Sequence, residues 1–354
     1  MRRGALCLGL LLGFTGACKD ETPAPASTKT EAEAPAEEPS EPKEEGERGG
    51  SKSGLAGLTS QMIDEVRQGA RDPILLLPSS AYLLVSLEPG RLLDNRAIAD
   101  LWEALTDKEE DLRKGEQLAE ACLGALETFE RVVVAGGHDD RTAMAIHGKR
   151  LGDAETWRCF ERISSRTGDW DLKLTGTERG EGPQLLDTDD GDRGYFPDKD
   201  TAIILSKELD AEVVARIDGK GTAITEGPLA ATLDRTETDR PLWFVGLIEG
   251  QLQRDLADGP FDGFKDFSFS MGSADDGIAL TLSGDGGTDA DATRLLAELE
   301  KQFNDLKGML PMLGLPASIG EKIEFKREGS EVLITLDMTR HEVEQLTEAV
   351  VTKL

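Results

Sequence analysis

The chain has 354 residues, 69 acidic against 40 basic, and a formal net charge of −29. That sign argues against a nucleic-acid partner, because neutralising phosphates takes a Lys/Arg-rich face. Three His and four Cys leave little for metal or nucleophile chemistry, while 38% hydrophobic residues suffice to bury one large or two moderate domains.

Arg2 and Arg3 precede a 13-residue apolar run, Ala5 to Ala17. This is too short to span a bilayer, which takes about 20 apolar residues, and has the dimensions of a secretory signal core, placing residues 1–17 in a cleaved leader. The run ends Thr15-Gly16-Ala17-Cys18, which resembles the lipobox of bacterial lipoproteins, with Thr15 in place of the usual Leu. The resemblance implies cleavage before Cys18, acylation of its thiol and new amino group, and a membrane partner reached through that lipid. Lys19 after the anchor implies export to the outer membrane. Residues 18–54 carry five Pro, ten acids, five bases and no large apolar side chain. With nothing to bury they are expected to stay disordered, spanning about 30–35 Å as a coil. The remaining −26 belongs to residues 55–354.

Leu55, Leu58, Met62 and Val66 predict a short amphipathic helix. Ala81–Leu87 reads as a strand, followed by helical patterns through Leu92–Leu105 and Leu118–Phe129. Strands at Arg131–Ala135 and Thr142–Gly148 turn at Gly136-Gly137-His138-Asp139-Asp140, and a helix follows at Ala154–Ile163. Thr201–Ser206 and Leu209–Ile217 continue as strand and helix. The order recurs: strand Leu242–Ile248, helix Gln251–Leu256, hairpin Phe267–Met271 with Gly277–Ser283, and a helix capped by Thr288 with Asp291. Its apolar face runs from Leu295 through Phe303 and Leu306 to Leu310. A second hairpin, Ile323–Lys326 with Val332–Asp337, precedes a helix at His341–Val351.

The expected fold class is therefore α+β, antiparallel β-sheet with helices packed on one face. Two similar repeats are expected, residues 55–238 and 239–354. Val85-Ser86-Leu87 and Val245-Gly246-Leu247, 160 residues apart, support the duplication. Together with the anchor and tether this architecture resembles uncharacterised two-repeat envelope lipoproteins of Gram-negative bacteria.

Cys122 and Cys159 either form a bridge between two helices or remain two buried thiols. The acidic run Asp187–Asp192 reads as a turn, since it lacks the Gly position and terminal Glu of an EF-hand loop. His138, His147 and His341 have no metal spacing, and no nucleophile elbow, zinc motif or dinucleotide fingerprint is present. No cofactor, metal or catalytic residue is expected. Met309, Leu310, Met312, Leu313 and Leu315, around Pro311, form a Met-rich segment suited to an envelope protein partner or an apolar ligand. The expected function is non-catalytic binding or scaffolding at the envelope. The alternatives are a lipid or apolar-ligand carrier with a cavity between sheet and helices, or a hydrolase with an unrecognised site.

Overall fold

The computed structural model describes residues 72–351, except 139–140, 168–171, 174–185, 189–190, 257–258, 260 and 314–315. The leader, Cys18, the tether and the predicted Leu55–Val66 helix lie outside the described residues.

Strands β1 (Leu83–Leu87), β2 (Phe129–Gly136), β3 (Thr142–Gly148), β4 (Leu172–Lys173), β5 (Leu186–Thr188), β6 (Arg193–Asp198) and β7 (Thr201–Leu205) precede β8 (Leu242–Leu247), β9 (Asp266–Ala274), β10 (Gly277–Asp285), β11 (Glu324–Glu328) and β12 (Glu331–Met338). All join one 12-stranded sheet in the order β11-β12-β10-β9-β8-β1-β2-β3-β7-β6-β5-β4, so the two halves share a sheet through the β1–β8 pair. Every pairing is antiparallel. Outward from that pair, the order β1-β2-β3-β7-β6 is matched by β8-β9-β10-β12-β11. The 160-residue sequence match falls on β1 and β8, the leading strands of these two orders, but one residue out of step in facing. Val85 lies opposite Phe244 and Val245 opposite Leu84, which puts Val85 and Val245 on opposite faces of the sheet.

Among the described residues ten helices accompany the strands: α1 (Pro89–Leu93), α2 (Arg96–Lys108), α3 (Glu110–Leu123), α4 (Ala154–Thr167), α5 (Asp210–Ile217), α6 (Ala230–Arg235), α7 (Gly250–Leu256), α8 (Asp289–Lys307), α9 (Ala317–Lys322) and α10 (Arg340–Val351). Eight lie on one face, over three apolar clusters. Leu118, Trp157 and Phe160 of α3 and α4 pack on Ile146, Phe196 and Ala202. Leu92, Ile98, Ile319 and Val343 pack on Ile278 and Met338, and Leu295 and Leu299 of α8 pack on Val332.

The antiparallel α+β reading holds, but the helical cover is two-sided. Leu84, Val133, Ala135, Ala145, Ile203, Trp243 and Val245 form the opposite face of the central strands, beneath Val213 of α5, Leu229 just before α6, and the 3-10 turns holding Ile74 and Ile224. The reason is local. β1 and β8 carry Leu84 and Val245 on one face and Val85 and Phe244 on the other, so neither face can be left to water.

Capping follows the sequence closely at α8. The Thr288 hydroxyl oxygen accepts from the Asp291 amide at 3.1 Å. At α10 the helix begins one residue earlier than the apolar pattern suggests, because Thr339-Arg340-His341-Glu342 forms a capping box. The Thr339 amide donates to Glu342 Oε2 at 2.9 Å, and Glu342 N donates to Thr339 Oγ1 at 3.4 Å.

Candidate functional site

α8 contains 19 residues, about 28 Å at 1.5 Å per residue, and packs against β11, an edge strand of five. The helix outruns its support. Leu295 and Leu299 are buried and Phe303 packs on Phe325 with ring centroids 5.5 Å apart. Leu306, expected on the same apolar face, is instead 55% exposed.

The chain then enters a 3-10 turn, Leu310–Leu313. The Met309 amide donates to the Leu306 carbonyl at 2.8 Å, and the Met312 amide to Met309 at 2.9 Å. Leu310 is the inward anchor of this turn. It lies so close to Gly320 of α9 that a Cβ there would stand 2.8 Å from Leu310 Cδ1. Met309 and Met312 are left 44% and 75% exposed. Leu306, Met309 and Met312 are the exposed large hydrophobic residues found among the described residues, and all three fall on this one tip. Sequence reasoning named Met309 and Met312 but missed Leu306, whose helical spacing gave no sign that the strand beneath ends. Leu315 and the side chain of Leu313 lie outside the described residues.

A second feature is a cavity of about 760 Å³ at the ends of β1, β2 and β3, lined by Asp72, Pro73, Glu88, Gly90, Arg91, Asp94, Phe129, Glu130, Arg131 and His147. Both of its arginines are paired with its carboxylates. Arg131 donates from Nε to the buried Ser86 hydroxyl at 3.0 Å and stands 3.6 Å from both Asp72 and Glu88. Glu88 also accepts from Arg91 at 2.6 Å. The Thr201 hydroxyl donates to Asp198 at 3.1 Å, so its oxygen accepts from His147 Nδ1 at 3.0 Å. That leaves His147 Nε2 facing Glu130 at 3.5 Å. The lining mixes seven ionisable side chains with Pro73, Gly90 and Phe129.

The structure joins Cys122 on α3 to Cys159 on α4, with an S–S distance of 2.12 Å and Cα atoms 5.7 Å apart. A smaller cavity, about 390 Å³, opens beside this bridge and is lined by Cys122, Arg150, Glu155, Thr156, Arg158, Cys159 and Arg162. Among the described residues no group of three or more His, Cys, Asp or Glu could hold a metal ion, and no helix is long and apolar enough to cross a membrane.

No protein-family profile matches the chain, and no curated protein does. Among solved structures, crystal form III of TP0453 is similar, with a TM-score of 0.49 and 12% identity, covering 79% of this chain and 98% of that one. Crystal form IV of TP0453 gives 0.46 and 11%, covering 80% and 98%.

Proposed function

We propose that this chain is a non-catalytic lipoprotein, anchored to the outer membrane through an acylated Cys18, that binds an envelope partner through the tip formed by Leu306, Met309 and Met312. The observation that carries the reading is the gathering of three exposed apolar side chains on one hydrogen-bonded turn. An apolar tip held in a fixed backbone conformation is costly to leave in water and is the usual mark of an interaction surface. Methionine adds adaptability, since its unbranched thioether chain conforms to varied contours. The signal-like leader and lipobox-like Thr15–Cys18 support the anchor, and a tether of about 30–35 Å would let the folded part reach partners near the membrane. The apolar-ligand carrier is less well supported, because the two cavities described above are lined mainly by ionisable side chains.

Two measurements test this. Cys18→Ser is expected to abolish acylation and release the protein from membranes; unchanged membrane attachment would refute the anchor. A photo-crosslinker at Met312 is expected to capture a discrete partner in cells, and capture is expected to fall at least tenfold when Leu306 and Met309 become Ser. Crosslinking at Met312 no stronger than at the exposed Glu328 on edge strand β11 would refute the docking role.

A further inference from the structure

The tip carries sulfur as well as hydrocarbon. Of the chain's seven methionines, five lie among the described residues, and they divide by exposure. Met338 is 4% exposed in the apolar cluster beneath α2 and α10, Met271 packs against that cluster, and Met144 packs against the one that holds Trp157. Met309 and Met312 are left outward. They stand three positions apart on the hydrogen-bonded turn, whose inward anchor is Leu310, so both thioether side chains remain open to solvent while the turn stays held. A thioether is the readily oxidised group of such a surface, and its oxidation turns an apolar side chain into a polar one.

We propose that Met312 and Met309 are sulfoxidation sites for small hydroperoxides, and that the modification undocks the partner. The inference rests on the docking role assigned to this tip above. In the undocked chain a lone pair on Sδ attacks the outer oxygen of hydrogen peroxide. An S–O bond forms, the O–O bond breaks, and the departing hydroxide takes that oxygen's proton and leaves as water. Sulfur loses two electrons and the peroxide gains them, so methionine and hydrogen peroxide become methionine sulfoxide and water. The sulfoxide oxygen is a strong hydrogen-bond acceptor, and an apolar contact that closed over it would have to strip its water without replacing the bond. The fold does not depend on either sulfur, because Leu310 keeps its place against Gly320.

The intact folded chain is given a photo-crosslinker at Gly308, an exposed position at φ −66° where a Cβ would meet nothing within 4 Å. It is treated with dilute hydrogen peroxide, and sulfoxides are placed by peptide mass spectrometry. Met312 and Met309 are expected to oxidise about tenfold faster than Met338, with the difference vanishing in urea and the melting temperature unchanged by oxidation of the tip. The chain is then freed of peroxide and mixed with envelope extract. Oxidation is expected to lower crosslinked partner about tenfold, and a methionine sulfoxide reductase to restore it. Met309→Leu with Met312→Leu keeps the apolar volume without sulfur and is expected to capture equally with and without peroxide. Oxidation of Met338 as fast as Met312 would overturn the inference. So would undiminished capture by the sulfoxide form, or an equal loss of capture in the Leu variant. No capture even before peroxide would refute the docking role itself, and the undocking with it.

Discussion

Asn95 Nδ2 donates to the Gly277 carbonyl at 2.7 Å, across 182 residues of sequence, while its Oδ1 accepts from the Ala97 amide at 2.9 Å and caps α2. One side chain thus starts a helix of the first half and fastens it to the β9–β10 hairpin of the second. The contact demands close approach from both sides. Gly277 itself has no room for a Cβ, which would stand 1.8 Å from the Met338 carbonyl oxygen. Asn95→Ala is expected to cost about 2–3 kcal/mol, combining a lost cap with a stranded buried carbonyl. Asn95→Asp keeps the cap acceptor but cannot donate. Urea unfolding is expected to find it destabilised as well; full wild-type stability in the Asp variant would show that the cap alone matters.

Glu342 is 6% exposed. Burial alone would raise its pKa, but hydrogen bonds from Lys322, the Thr339 amide, and the Ser318 and Thr339 hydroxyls outweigh that and lower it to about 2. The folded pKa lies below the unfolded one near 4.5, so the stabilisation is complete above pH 4.5 and is lost as pH falls toward 2. Glu342→Gln is expected to lower stability at pH 7 by about 1–3 kcal/mol and to flatten the loss of melting temperature across that acid window. An equally steep acid limb in the variant would assign it to other carboxylates.

The Cys122–Cys159 bridge closes a loop with a sequence separation of 37. Loop entropy at that length predicts that replacing both by Ser costs about 3–4 kcal/mol, or roughly 8–12 °C in calorimetry. A drop of only a degree or two would mean that the packing of α3 on α4 restrains the open chain almost as well.

Arg150→Gly removes the strain of a side chain at φ 68° while its amide keeps the bond to Asp200 at 3.0 Å. Stability is expected to rise by up to about 1 kcal/mol. A fall would show that the Arg150 pairs with Asp153 and Glu155 outweigh the backbone term.

Much of this fold was readable from local pattern. β3 matches the predicted Thr142–Gly148 strand end to end, and the Thr288 cap starts α8 where the sequence places it, because both signals involve residues within a few positions of each other. The capping box at Thr339 and Glu342 is equally local, but the apolar pattern of that helix begins later and masks it. What could not be read was non-local. Nothing near Asn95 announces Gly277, and nothing in α8 announces that β11 ends before Leu306 does. The second helical layer escaped for the same reason, since the apolar residues on both faces of β1 and β8 acquire meaning only once those strands lie side by side at the centre. The tip was half visible: the Met-rich composition marked the place, and only the turn geometry sorted Leu310 inward from Met309 and Met312 outward.

A sheet this broad ends, on one side, at β11. Its sequence, Glu324-Phe325-Lys326-Arg327-Glu328, sets four charged side chains along the margin where a stray strand would add. Any second molecule offering its own β11 would meet those charges and have to dehydrate them before forming a ladder. Copies of the chain that met at this border would therefore be held apart by its charges instead of zipping into a shared ladder.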